Sequence, residues 1–153
     1  MGIYIKIVLA IAMVCLSAGC EQDSQTSVPT VSSLSTGVTP TRNNSPDVIA
    51  AGEKIYKTHC VDCHGQMAQG AKNCHKVGAD GKYPPPPLDG SGHAWHHSRV
   101  ALHNMIKNGS PANQGNMPAW AQILSDDDID KVINYFQSLW PEQVYAAWYE
   151  MHK

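Results

Sequence analysis

Cys60-Val61-Asp62-Cys63-His64 is the stretch that decides the fold of this 153-residue chain. A Cys-x-x-Cys-His run is typical of a c-type haem attachment site. Two thiols three residues apart at a helix end can form thioethers with the two vinyl groups on one edge of a porphyrin. The imidazole of His64 then lies under the ring, where it can take the proximal position on the iron. We therefore predict one haem c, bound covalently through Cys60 and Cys63 and ligated by His64.

Three other interpretations of this motif are weaker. A structural zinc site would need a second pair of ligands at similar spacing, and the remaining cysteines supply none. A thioredoxin-type redox dithiol is typical of a βαβ context, which the sequence lacks. The third is coincidence, and the export signal described next argues against it.

Residues 1–19 have the pattern of an export signal. Lys6 precedes an apolar run, Ile7 to Leu16, that is too short to span a bilayer as a helix of the mature protein. The run ends in Leu16-Ser17-Ala18-Gly19-Cys20, which resembles a bacterial lipoprotein cleavage box with its leucine one position further upstream than usual. We predict a signal peptide, lipidation of Cys20 and a periplasmic or extracytoplasmic, membrane-anchored location. Ordinary secretory cleavage, leaving Cys20 as a bystander thiol, is the alternative.

The composition changes sharply after the signal. Ser, Thr, Pro, Gln and Asn dominate from Glu21 to Ser45, without any apolar period. Such a segment cannot bury enough apolar surface to offset its ordering entropy. We therefore predict a disordered linker over residues 20–45, held at the membrane by the lipid, and a single folded domain over residues 46–153.

The first predicted helix runs from Pro46 to His59. Ser45 suits the N-cap, and Pro46 suits the first helical position because its missing N–H would be unpaired there anyway. A glycine inside a helix is locally unfavourable by about 1 kcal/mol relative to alanine. Gly52 lies on the apolar face of this helix, together with Ile49, Ile55 and Tyr56. Its place on that face suggests that another helix crosses closely there.

Two further helices are predicted, and no strand-like alternation occurs in the domain. Ser98 can cap a helix over Arg99 to Asn108, whose apolar positions are Val100, Leu102, Met105 and Ile106. Ser125, followed by three aspartates, begins a helix that Pro141 stops, with an apolar stripe of Ile129, Val132, Ile133, Phe136, Leu139 and Trp140. The apolar and aromatic residues after Pro141 either cover the core or meet a partner. The predicted class is all-α with long loops.

A second iron ligand is predicted in Asn116-Met117-Pro118-Ala119-Trp120. A thioether is a soft ligand suited to iron in an electron-transfer site, and His/Met ligation raises the reduction potential. Pro118 stiffens the loop beside the sulfur. We therefore predict axial ligation by His64 and Met117. The main alternative to Met117 is a histidine, which is His93, His96 or His97, and any of these would give a bis-His site with His64.

Taken in order, these pieces resemble a class I monohaem c-type cytochrome over nearly all of Pro46 to Trp140. The resemblance implies a cytochrome c fold of three to five helices wrapped around one covalently attached haem. In that family the first and last helices cross at right angles through glycine and aromatic positions. The positions that would pack together here are Gly52 and Tyr56 with Val132 and Tyr135.

An iron with both axial positions filled, in an apolar cleft, can exchange one electron and little else. The predicted function is a one-electron carrier in an extracytoplasmic respiratory chain, not an enzyme, although it could serve as a subunit or donor of an oxidoreductase complex. Its predicted partners are a redox protein donor and acceptor and, through the lipid on Cys20, a membrane, with no nucleic acid. A haem enzyme of the peroxidase type, with an open sixth position, is one alternative.

Five further residues have no role in this scheme: Cys74, His75, His93, His96 and His97. A free thiol near imidazoles could bind copper or another soft metal, which makes a metal-binding module the other alternative function. The simpler interpretation is that these residues contact haem propionates, cap loops or face water. The last three belong to a stretch that, with the preceding Pro84-Pro85-Pro86-Pro87-Leu88, resembles a subset of exported bacterial cytochromes.

Overall fold

Residues 42–153 are the part of the chain that the computed structural model describes, and it is all-helical there, with no strand. The predicted all-α class is confirmed. The signal peptide, Cys20 and residues 20–41 of the linker lie outside these residues and stay predictions. Five α-helices and one 3-10 turn follow in the order α1 (Pro46–His59), α2 (Val61–His64), the turn (Ala94–His96), α3 (Arg99–Asn108), α4 (Asp126–Ser138) and α5 (Glu142–His152).

The start of α1 lies where the sequence predicts it. Ser45 occupies the N-cap position and Pro46 begins the helix. Ser45 is therefore the N-cap residue, as predicted, but its side chain makes no capping hydrogen bond. The backbone carbonyl of Ser45 instead accepts from the N–H of Ile49 at 3.0 Å, the first hydrogen bond of the helix.

Helices α1 and α4 cross in direct backbone contact at Gly52. A Cβ atom placed on this glycine would lie 2.1 Å from the carbonyl oxygen of Lys131 and 2.9 Å from Cβ of Tyr135. The rings of Tyr56 and Tyr135 pack beside the crossing with their centroids 5.2 Å apart, and Val132 is buried in the same core. The predicted close crossing is therefore confirmed, and only a residue without a side chain fits at position 52.

Helix α4 begins with a complete capping box. The N–H of Asp128 donates to Oγ of Ser125, and the N–H of Ser125 donates to the Asp128 carboxylate, both at 3.1 Å. The Ser125 hydroxyl also donates to this carboxylate at 2.7 Å, and this bond, followed by the one from the Ser125 N–H, lowers the pKa of Asp128. The helix ends at Ser138, two residues earlier than the predicted stripe, but Trp140 remains buried in the turn that follows.

Helix α3 buries only half of its predicted apolar face. Ser98 caps it by accepting from the N–H of Ala101 at 3.2 Å, as predicted. Of the four apolar positions, Leu102 and Ile106 are buried, whereas Val100 is 69% exposed and Met105 41% exposed. Val100 precedes Leu102 by two residues, about 200° around the helix, and therefore points away from the core.

The C-terminal segment covers the core, which is one of the two roles left open for it. Tyr145 and Trp148 of α5 are buried, and the indole N–H of Trp148 donates to the carbonyl of His97 at 2.8 Å. Arg42, which precedes α1, lies over the Tyr145 ring at 4.3 Å from its centroid. No helix within residues 42–153 has both the length and the apolar character needed to cross a membrane.

The α1–α4 crossing predicts that an alanine at Gly52 destabilises the protein, whereas helix propensity alone predicts that it stabilises it. Gly52→Ala should lower the free energy of unfolding of the haem-loaded protein by about 2 kcal/mol, because backbone overpacking exceeds the roughly 1 kcal/mol gain in helix propensity. The control is Ala50→Gly at an exposed position of α1, expected to cost about 1 kcal/mol. Urea titration of both variants would contradict close packing if Gly52→Ala proved stabilising.

Candidate haem site

The Cys-x-x-Cys-His motif forms the turn that joins α1 to α2. Cys60 follows α1 and is the N-cap residue of α2, and its carbonyl accepts from the N–H of His64 at 2.9 Å. Cys63 is exposed and Cys60 is half-buried, and both are free thiols. His64 is buried, with 7% of its surface exposed. The motif thus combines two thiols free for thioether bonds with a buried imidazole on one helical turn, which fits haem c.

The orientation of the His64 ring is fixed by a backbone carbonyl. Its Nδ1 lies 2.9 Å from the carbonyl oxygen of Pro86. Because a carbonyl can only accept, Nδ1 carries the hydrogen, and the lone pair of Nε2 remains free for a metal. Burial lowers the pKa of His64, although the bond to Pro86 opposes this shift. The imidazole is therefore held neutral, the form that ligates iron.

The proline run is placed against the loop after α2. The N–H of Ala71 donates to Pro85 at 2.9 Å, and the N–H of Leu88 donates to Ala68 at 2.7 Å. Gly70 lies between these bonds with φ +68°, and a Cβ there would fall 2.4 Å from the backbone nitrogen of Pro87. No part in the site was predicted for this run. The signal available in the sequence was that consecutive prolines offer carbonyls without competing N–H donors.

Tyr56 fixes the chain as it leaves the motif. Its hydroxyl donates to the carbonyl of Gly65 at 2.8 Å, and burial raises the pKa of this phenol, which keeps the donor protonated.

Burial, and then the neighbouring Cys63, raise the pKa of Cys60 to about 11. Catalytic dithiols depend on a lowered thiol pKa, so this environment also argues against a redox dithiol.

The Met117 loop is attached to the C-terminal end of α3. The N–H of Met117 donates to Oγ of Ser110 at 3.1 Å, and the N–H of Ser110 donates back to the carbonyl of Met117 at 3.0 Å. Gly109, with φ +77°, lets these two hydrogen bonds form, because a Cβ there would lie only 2.7 Å from the Met117 carbonyl oxygen. The N–H of Trp120 then donates to the carbonyl of Ile106 at 3.2 Å. The backbone on either side of the thioether is therefore fixed.

This loop also touches the end of α1. The rings of His59 and Trp120 meet edge to face with centroids 5.1 Å apart. Met117 and Cys60 are both partly buried and pack against the same hydrophobic core. Among the other methionines of the described domain, Met67 is 71% exposed, and Met105 and Met151 are exposed too.

The unassigned histidines divide into a row of three and one separate residue. The ring centroids of His75 and His93 lie 5.7 Å apart, and those of His93 and His96 lie 5.8 Å apart. His97 is outside this row, and its carbonyl accepts from Trp148. Within residues 42–153, no three His, Cys, Asp or Glu side chains are arranged to hold a metal ion. The row therefore gives no specific support to the copper alternative.

Comparison with known proteins identifies the domain. Residues 47–136 match the family described as "Cytochrome C oxidase, cbb3-type, subunit III". The chain belongs to the c-type cytochromes. The predicted monohaem cytochrome, its fold and its haem c, bound covalently at the spacing of Cys60 and Cys63, are thereby confirmed.

Its relatives include both oxidase subunits and a small cytochrome. The chain is 33% identical over 91 residues to the cbb3-type cytochrome c oxidase subunit CcoP of Azospirillum sp. (strain B510), covering 60% of this chain and 28% of the relative. It is 34% identical over 98 residues to CcoP of Azospirillum brasilense, covering 62% and 30%. It is also 31% identical over 104 residues to cytochrome c6 of Cladophora glomerata, covering 67% and 97%. This cytochrome thus spans less than a third of the CcoP relatives, and no solved structure matches it.

Gly70 provides a test of the contact that holds the proline run beside His64. Gly70→Ala should destabilise the haem-loaded protein by about 3 kcal/mol, because it adds left-handed strain and a clash with the backbone of Pro87. Gly81→Ala is the matched control, with φ +77° but open space around the added methyl group. It should cost only about 1 kcal/mol. Equal losses in urea unfolding would mean that the contact with the proline run contributes nothing.

Proposed function

We propose that this cytochrome is a one-electron carrier of an extracytoplasmic respiratory chain, with its haem iron ligated by His64 and Met117. The observation that carries the proposal is the buried, neutral His64 ring, whose Nδ1 is committed to Pro86. When bound, haem supplies a reversible one-electron couple whose potential depends on the axial ligands and their surroundings. The chain's own part is to position two ligands and keep them in place.

Both proposed ligands are held by groups that do not need to change with redox state. Pro86 accepts from His64 on one side, and Ser110 exchanges two hydrogen bonds with the Met117 backbone on the other. Met117 is partly buried against the core, whereas the three rival ligands, His93, His96 and His97, are exposed. This difference in burial favours the thioether, because a ligand fixed against the core loses less freedom on coordination.

The proposed partners are a redox protein that donates the electron and another that accepts it. Similarity to CcoP, named as a subunit of a cbb3-type cytochrome c oxidase, supports an oxidase complex as one of these partners. Similarity to nearly the whole of a cytochrome c6 supports a small carrier that works as a single domain. The export signal and Cys20 support an extracytoplasmic location with a lipid anchor.

Replacing Met117 tests the proposed ligation. Met117→Ala should lower the reduction potential on the order of 0.1 V, remove the absorption band of sulfur-ligated ferric haem and let the ferrous protein bind carbon monoxide. Met67→Ala, at an exposed methionine, should leave all three properties unchanged. An unchanged spectrum in Met117→Ala would exclude Met117 as the ligand. Full carbon monoxide binding by the unsubstituted protein would indicate an open sixth position and a haem enzyme.

Replacing Cys20 tests the anchor. In a host with lipoprotein and cytochrome c maturation, the full chain should fractionate with membranes, and Cys20→Ser should move it to the soluble extracytoplasmic fraction with its haem intact. Cys74→Ser controls for loss of a thiol outside the motif. Mass spectrometry of the mature N-terminus measures the lipid directly. A membrane-bound Cys20→Ser protein without lipid would contradict anchoring at this residue.

A further inference from the structure

Two aromatic rings join the Met117 loop directly to the end of α1, and neither ring has a part in the proposed ligation. The rings of His59 and Trp120 meet with centroids 5.1 Å apart and planes 60° apart, which is an edge-to-face arrangement. Both residues are half-buried, and Trp120 packs against the hydrophobic core. Aromatic pairs favour this geometry because the positive edge of one ring meets the negative face of the other.

His59 places this contact next to the first cysteine of the attachment motif. It is the last residue of α1, and Cys60 follows it directly. The N–H of Cys60 donates to the carbonyl of Tyr56 at 2.8 Å, so helical hydrogen bonding continues past His59 into the motif. The backbone that carries the His59 ring therefore has a fixed position relative to the haem attachment site.

The backbone that carries the Trp120 ring is fixed to α3. The N–H of Trp120 donates to the carbonyl of Ile106 at 3.2 Å, and its own carbonyl accepts from the N–H groups of Ile123 and Leu124, both at 2.9 Å. Trp120 follows Met117 by three residues. A movement that takes Met117 out of its position must therefore either carry Trp120 with it or break these hydrogen bonds.

The hydrogen bonds of the loop give it its shape, and they run to other parts of the fold. Ile106 in α3 and Ser110 just after it hold the backbone of the loop, and Lys82 donates to Asn116 at the surface. Helix α3 packs on α4, which in turn crosses α1. This path from the loop to the attachment motif passes through two helix contacts, whereas the ring pair joins the loop and the motif directly.

We infer that the His59–Trp120 pair is a positioning contact that holds the Met117 loop closed on the haem, an inference that rests on the proposed ligation by Met117. The two axial ligands of a haem iron lie on opposite faces of the ring, so His64 and Met117 belong to opposite sides of the cleft. The pair bridges these two sides beside Cys60. An added ligand can replace Met117 on the iron when the loop moves away, and that movement separates the two rings. The contact therefore favours the methionine-bound state.

The test measures how readily imidazole displaces the sulfur ligand in the ferric, haem-loaded, full-length protein. Loss of the absorption band of sulfur-ligated ferric haem reports the displacement, at one fixed pH and ionic strength. Trp120→Leu should raise the apparent affinity for imidazole about fivefold, because an edge-to-face aromatic pair changes an equilibrium by about twofold to tenfold. Trp120→Phe keeps a ring at this position and should stay within about twofold of the unsubstituted protein.

His59→Leu should give the same increase as Trp120→Leu, and it keeps the test available if the tryptophan variant does not fold. The double variant should bind imidazole no more tightly than either single variant, since the same contact is lost in all three. His152→Leu is the matched control, because His152 meets the ring of Trp148 in α5 with centroids 5.8 Å apart. It should leave the affinity for imidazole unchanged.

Several results would overturn the inference. They are unchanged imidazole affinity in Trp120→Leu and His59→Leu, additive effects in the double variant, or an equal increase in His152→Leu. A lower urea midpoint without tighter imidazole binding would reduce the pair to a structural contact and overturn its positioning role. Absence of the sulfur band in the unsubstituted protein would overturn the proposed ligation together with this inference. An intact band with unchanged affinities in the variants overturns this inference alone.

Discussion

The hydrogen bond from Nδ1 of His64 to the carbonyl of Pro86 is the interaction on which the site depends. It fixes the tautomer, the ring plane and the direction of the Nε2 lone pair at once. Because the acceptor is a backbone atom, its position does not depend on a side-chain rotamer. Its position depends in turn on Gly70, since no larger residue would let the proline run approach the loop after α2. The proposed ligand is thus oriented by a close contact between two backbones.

At three places in the domain, a glycine allows two segments of backbone to approach closely. Gly52 lets α1 touch the backbone of α4, Gly70 lets the loop touch the proline run, and Gly109 lets the Met117 loop close on α3. Each contact replaces side-chain packing by backbone contact, which has few alternative arrangements. A small domain with one Phe has little apolar volume to use, so close backbone approach helps to define its geometry. The glycines fix the position of each element, and the core residues supply the burial.

Local features were predictable and long-range acceptors were not. The caps by Ser98 and Ser125 depend on neighbours three residues away, so their sequence pattern specifies them. The Gly52 crossing was predictable because a glycine on an apolar helix face lowers helix stability and is favoured where another backbone approaches closely. Pro86, in contrast, lies 22 residues beyond His64 and acts through its backbone carbonyl. Because every residue has such a carbonyl, the residue type does not identify this acceptor. Hydrophobic type alone also does not show that Val100 is exposed, because apolar residues are common on surfaces.

The relative strength of its contacts indicates what holds the Met117 loop. Asn116 makes two side-chain bonds across the surface, accepting from Lys82 and donating to Asp80, both at 2.7 Å. The bond from Asn116 lowers the pKa of Asp80, but this carboxylate is fully exposed, and such pairs are weakened by solvent and salt. The bonds between Ser110 and Met117 are partly shielded and lie beside the close contact at Gly109. The loop geometry therefore follows from the end of α3, and the surface bonds around Asn116 only supplement it.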